Sequence, residues 1–192
     1  MAPAFRIKEL QSRSFEQHQL RKAAVLILCY PSVLNQSVYF SMIQRPHYEG
    51  VHSGQIALPG GKAEPEDKSM QETALRETEE EIGVPRTDIS TVKAMTRLYV
   101  PPSNYWVYPF VGFISSPPRF IPQLEEVADI LEIPLTPFLD GQMVTKTKRQ
   151  TSYAGEITVP AFQFQHHMIW GATAMIMSEF REMVLEILDQ RC

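Results

Sequence analysis

GGKAEPEDKSMQETALRETEEEIGV, residues 60–84, is the stretch on which the reading turns. Two glycines and a polar loop lead it. Strong helix formers then run from Ser69 to Ile82, stopped by Gly83 with Pro85 two residues beyond, which are the usual signals of a helix end. Glu77, Glu80 and Glu81 fall at i, i+3 and i+4, so three carboxylates share one helix face, where like charges repel. Glu79 points elsewhere and reads as solvated. Ala74, Thr78 and Ile82 give a neighbouring stripe that packs against a sheet. Hard divalent cations favour clustered carboxylates together with substrate phosphates. They neutralise the charge on a diphosphate and hold its oxygens as Lewis acids. Arg76 is placed to pair with Glu80 at i+4, and Gly60 and Gly61 let a backbone carbonyl approach as a further ligand. A Glu-rich helix alone is more often just a solvated face. What favours metal is the order: a strand ending in Pro59-Gly60-Gly61, a polar loop, then the glutamate helix.

Working outward, Ala23 to Tyr30 is a continuous apolar run that predicts a buried strand. Ser37 to Gln44 predicts its hairpin partner, Arg45 to Gly54 a polar loop, and Gln55 to Leu58 a short strand. Downstream, Val92–Val100 and Trp106–Ile114 predict two strands, Glu125–Leu131 a short helical turn, and Ile133-Pro134-Leu135 the opening of the next helix. Thr145–Tyr153 with Ile157–Phe164 predicts a final hairpin, and Gly171–Gln190 an amphipathic helix. Strands and helices without regular alternation imply an α+β fold. Residues 1–20 are a lead-in, and 21–192 are expected to form one domain.

The 192 residues are 44% hydrophobic, enough for one domain with a real core. A net charge of -4 without a basic run excludes the electrostatic footprint of a nucleic-acid binder. Cys29 and Cys192 make no disulfide framework. Residues 1–20 lack a signal-peptide core, the C-terminus lacks a peroxisomal signal, and Ala23–Tyr30 is too short to cross a bilayer. The expectation is a cytoplasmic protein without membrane or nucleic-acid partners. Oligomeric state is left open, a homodimer being admissible.

Residues 76–84, Arg-Glu-Thr-Glu-Glu-Glu-Ile-Gly-Val, resemble the second half of the Nudix box. The resemblance implies an α/β/α sandwich with a mixed sheet. It also implies Glu77, Glu80, Glu81 and the Gly61 backbone as ligands of magnesium or manganese, with Arg76 as their orienter. There are two departures. The acidic position eight residues before the arginine falls on Lys68, so Asp67 or Glu66 fills that role only through a longer loop. Thr78 stands where an aliphatic residue is usual. Upstream, Gln44-Arg45-Pro46 and His52-Ser53-Gly54-Gln55-Ile56-Ala57-Leu58-Pro59-Gly60-Gly61 resemble the extra motif of the coenzyme A pyrophosphatase subgroup, with Leu58 replacing the usual aromatic. The Asp67 loop, Glu126-Val127 and Ile169–Ala174 are similar to that subgroup too, and the likeness covers roughly residues 22 to 185. It implies hydrolysis of coenzyme A or acyl-coenzyme A to 3′,5′-ADP and a 4′-phosphopantetheine. Two alternatives stand beside it. One is another nucleotide diphosphate substrate such as ADP-ribose, NADH or a dNTP. The other is a catalytically idle nucleotide-binding module, which would have no need for three mutually repelling glutamates.

The remaining candidates each carry two readings. Arg45 has a fork suited to a phosphate such as the 3′-phosphate of coenzyme A, or it makes a surface salt bridge. His52 donates to a phosphate or bonds its own loop. Gln55 faces the metal site or solvent. Tyr105 and Trp106 stack on an adenine or belong to the core, and Trp170 reads as packing. His166 and His167, adjacent in a strand, would face opposite sides. The general base is Glu80, Glu81 or, from a separate loop, Glu126.

Overall fold

The computed structural model describes residues 21–33, 37–49, 52–151 and 155–190. The lead-in and Cys192 lie outside them. In chain order the first elements are β1 (Arg21–Pro31), β2 (Val38–Gln44), β3 (Ile56–Ala57), β4 (Gly60–Lys62) and α1 (Met70–Ile82). Next come β5 (Thr91–Ala94), β6 (Leu98–Val100), β7 (Tyr105–Phe113), β8 (Asp129–Pro134) and α2 (Leu135–Leu139). The chain closes with β9 (Val144–Thr151), β10 (Gly155–Phe164), β11 (His167–Trp170) and α3 (Gly171–Asp189).

β1 is the spine of a mixed sheet. It runs parallel to β7 along nine residue pairs and antiparallel to β2 and β4. β3 and β8 extend the sheet from β2, and β5 and β6 from β7. A strand buried on both faces needs no polar alternation, and β1 has none. Its side chains divide by the two-residue period of a strand. Ile27 and Cys29 enter one core with Phe40, Phe138, Phe162 and Phe180. Ala24, Leu26, Leu28 and Tyr30 enter the other with Ala74, Ile82 and Val84. Helix α1 therefore covers one face, while α2, α3 and the small β9–β10–β11 sheet cover the other. This is the expected α+β sandwich.

Several elements differ from the sequence reading. Residues 92–100 form two strands: the Met95 amide still donates to the Pro109 carbonyl of β7, but the Thr96 amide donates to Glu179 of α3 instead. The turn predicted to run to Leu131 ends sooner, and Asp129 already pairs with Gln44 as a strand. β4 and β11 were not foreseen. Pro59 stops β3, yet Gly60 and Gly61 re-enter the sheet against Val25 and Ala24. The His166 and His167 rings are not on opposite sides but in contact, with centroids 3.9 Å apart. Gln165 takes a left-handed φ of 53° there, so His166 belongs to the turn and only His167 to the strand.

Candidate active site

The site begins with how α1 is held. Ser69 caps it, its side chain accepting from the Glu72 amide at 3.1 Å, while Glu72 reaches back to the Lys68 amide at 2.9 Å. Together the two bonds fix where the helix starts. Gly83 ends it at φ 71°, its amide donating to the Glu79 carbonyl. Thr73, Ala74, Thr78 and Ile82 are buried against the sheet. Thr78 is tolerated there because its hydroxyl donates to the Ala74 carbonyl at 2.7 Å, which leaves no orphaned polar group. With that face fixed, Glu77 and Glu81 point to the edge where β4 passes.

Glu81 is 2% exposed and accepts a hydrogen bond of 2.7 Å from the Gly60 amide. Burial pushes its carboxyl up to about 8, against the Gly60 hydrogen bond and the charge of Arg45, which both pull it down. Burial raises Glu77 as well, opposed by Arg76. Carboxyls held this way are poorly served by water and stabilised by a cation. Glu126, from the loop before β8, brings a third carboxylate. Glu77, Glu81 and Glu126 each offer one oxygen within 4.8 Å of the others. Two glycines make the space. A Cβ on Gly61 would collide with the Glu77 carboxylate, and one on Gly60, at φ 148°, would strike the Ala24 carbonyl.

Arg76 organises the rim. Its guanidinium grips Asp67 through Nε at 3.0 Å and Nη2 at 3.1 Å, reaches the Lys62 carbonyl at 2.9 Å, and pairs with Glu77 at 3.1 Å and Glu80 at 2.8 Å. Asp67 also accepts from the Thr73 hydroxyl and the Glu64 amide. With Arg76 as the leading cause, these bonds hold its carboxyl well below the usual range. Asp67 thus takes the acidic role that a count back from Arg76 placed on Lys68. Glu80 is half exposed and engaged by Arg76, outside the group that Glu126 completes. Glu79 faces away and pairs with Arg86 at 2.6 Å.

Beside Gly60 and Gly61 opens a cavity of about 210 Å³. Arg45, His52, Gln55 and Tyr105, four residues proposed for substrate from scattered positions, all line it. Its other walls are largely apolar, with Val25, Leu58, Val107 and Ile176 among them. His52 Nδ1 and Gln55 Oε1 lie 3.2 Å apart, so the imidazole meets a side chain rather than the loop backbone. The Arg21 guanidinium lies 5.9 Å over the Tyr105 ring. Trp106, next in the strand, lies beneath Arg97 and against Tyr99 and is absent from the cavity wall. Trp170 packs under Arg149, at 4.5 Å. Lys62, Ser103 and Thr173 also line the cavity. Lys62 and Thr173 lie inside stretches the sequence singled out and Ser103 does not, but only sheet order and the start of α3 bring the three to one cavity.

A family model of the NUDIX domain matches residues 20–148. The chain is 33% identical over 181 residues to a Pectobacterium atrosepticum protein named as an uncharacterized Nudix hydrolase, NudL, covering 90% of this chain and 86% of that one. Among solved structures, the Nudix hydrolase RenU of M. smegmatis superposes with a TM-score of 0.57 at 15% identity, over 86% of each chain. A MutT/nudix family protein from Enterococcus faecalis does so with a TM-score of 0.58 at 18% identity, over 95% of this chain and 70% of that one.

Proposed function

Because the chain belongs to the Nudix domain family and is a hydrolase of that kind, we propose that it cuts the diphosphate of coenzyme A or an acyl-coenzyme A, giving 3′,5′-ADP and a 4′-phosphopantetheine. The observation that carries this reading is the junction at Gly60-Gly61. On one side stand three carboxylates within 4.8 Å, and on the other the cavity that Arg45, His52, Gln55 and Tyr105 line.

The residues present fit a hard divalent ion. Glu77 and Glu81 are withdrawn from water with raised affinities for a proton, and a cation replaces that proton with advantage. In this reading Glu77, Glu81 and Glu126 hold magnesium or manganese, with the Gly61 carbonyl as a backbone ligand. Glu80, which Arg76 engages at 2.8 Å, would add a further carboxylate if released from it. Bound there, the ion neutralises the charge of the diphosphate and of the departing phosphate.

The chain's own groups do the rest. Arg76 orients Glu77 from a guanidinium that Asp67 immobilises. The Gly60 amide fixes the rotamer of Glu81. Among the described residues, the Glu126 carboxylate has no hydrogen-bond partner, so one of its oxygens is free to take the proton of the attacking water. That water adds to phosphorus, the anhydride P–O bond breaks, and the bond's electron pair leaves with the second phosphate. Such catalysis rests mostly on positioning and preorganised charge.

The cavity holds one end of the substrate and the remainder lies outside it. Arg45 suits a phosphate through a bidentate fork, and the 3′-phosphate is the one assigned to it. A second assignment has an observation of its own. The charge of Arg45 lowers the Glu81 carboxyl, which supports assigning Arg45 to the diphosphate instead. A panel of coenzyme A, ADP-ribose, NADH and dNTPs with magnesium tests the substrate. Coenzyme A is expected to be consumed fastest, with 3′,5′-ADP as a product. Faster turnover of any other member would move the assignment to that compound.

A further inference from the structure

The loop that brings Glu126 to the centre hangs from the helix that carries Glu77 and Glu81. The last carbonyls of a helix lack partners within it, and here the loop supplies them. The Ile121 amide donates to the Ile82 carbonyl and the Gln123 amide to the Glu81 carbonyl, both at 2.9 Å. Gly83 keeps the approach open, since a Cβ there would come within 2.7 Å of the Ile121 Cβ. Gln123 then builds the turn itself. Its carbonyl accepts from the Glu126 amide at 3.0 Å and the Val127 amide at 2.8 Å, and its side-chain oxygen accepts from the Glu125 amide at 2.7 Å. Beyond the turn, Val127 is fully buried and the Ala128 amide donates to the Gln44 carbonyl. Among the described residues, every hydrogen bond of the loop from Gln123 to Val127 has Gln123 as a partner.

We propose that Gln123 is a positioning residue that sets the Glu126 carboxylate against Glu77 and Glu81. The proposal rests on the reading of those three carboxylates as one metal centre. Gln123→Leu removes the side-chain acceptor at nearly constant volume. Gln123→Asn restores one, because asparagine commonly accepts from the amide two residues on. The readout is manganese alone, with free ion followed by electron paramagnetic resonance in the absence of any substrate. Gln123→Leu is expected to raise the manganese dissociation constant roughly three- to ten-fold, the worth of one hydrogen bond, without a matching fall in the melting temperature of the metal-free protein. Gln123→Asn is expected to bind as the wild type does. In a Glu126→Gln background Gln123→Leu should add nothing, since both act through one carboxylate. Unchanged binding in Gln123→Leu, or losses that multiply in the double variant, would overturn the role of Gln123. Wild-type manganese binding by Glu126→Gln alone would instead overturn the three-carboxylate centre, and the proposal with it.

Discussion

The backbone amide of Gly60 donates a 2.7 Å hydrogen bond to the Glu81 carboxylate. It joins the start of β4 to a helix residue from the next element and fixes where the buried carboxylate points. The adjacent Gly61 acts differently: it leaves the space that the Glu77 carboxylate occupies, which a Cβ there would enter.

The two glycines should fail differently when enlarged. A Cβ on Gly61 meets only the flexible end of Glu77. Gly61→Ala should therefore keep a melting temperature near that of the wild type while losing most activity. A Cβ on Gly60 meets the Ala24 and Val25 backbone at a φ that favours glycine. Gly60→Ala should lose stability as well as activity. Thermal melts beside turnover check both; an active Gly61→Ala would mean that Glu77 is free to move without consequence.

Asp67 is almost fully enclosed and held to Arg76 by two hydrogen bonds. Its carboxyl is depressed in the fold. Its contribution is therefore present above the ordinary aspartate range and is lost as pH falls through its lowered value. Asp67→Asn should cost about 1.5–3 kcal/mol at neutral pH, the range for hydrogen bonds to charged groups. The gap from the wild type should close in strong acid. A gap that persists unchanged at low pH would show that packing, not ionisation, is at stake.

Glu81 carries the opposite sign. Its folded value, raised to about 8, means that the metal-free native state binds more protons than the unfolded chain above the ordinary glutamate range. With a chelator present, stability should fall as pH rises from about 5 through 8, and Glu81→Gln should flatten that slope. Magnesium should reverse it, raising the melting temperature most where protons compete least. Glu126→Gln should shrink the magnesium-induced rise, and Glu79→Gln, paired with Arg86 on another face, should not. A rise lost in Glu79→Gln and kept in Glu126→Gln would place the ion elsewhere.

Arg45→Ala separates its two assignments. If the fork holds the 3′-phosphate, coenzyme A should lose about 1.5–3 kcal/mol of binding and dephospho-coenzyme A little. Equal losses in kcat/KM on the two substrates would give Arg45 to the diphosphate.

Much of this was legible in sequence because the signals are local. The helix, its glycine stop and the shared face of Glu77 and Glu81 follow from spacing alone. So does the strand that became β1, whose unbroken apolar run has core on both sides. What escaped depends on tertiary contact. The sequence offered Asp67 or Glu66 for the acidic position, and only the contact of Arg76, reaching back nine residues across the loop, selects Asp67. Glu126 could be named as a candidate base, but its meeting with Glu77 and Glu81 depends on carbonyls at the end of α1. Glu80 shares their face by spacing, yet Arg76 draws its carboxylate outward. β4 was missed because two glycines look like a turn until their neighbour in the sheet is known.

The most direct test of the central claim is turnover by Glu77→Gln and Glu81→Gln at saturating magnesium, with circular dichroism to verify the fold. Both substitutions keep side-chain size and remove a charge from the group beside Gly60 and Gly61. The account predicts a folded protein whose kcat falls by orders of magnitude in each. Near-normal turnover in both variants would contradict it and remove this carboxylate group from the reaction.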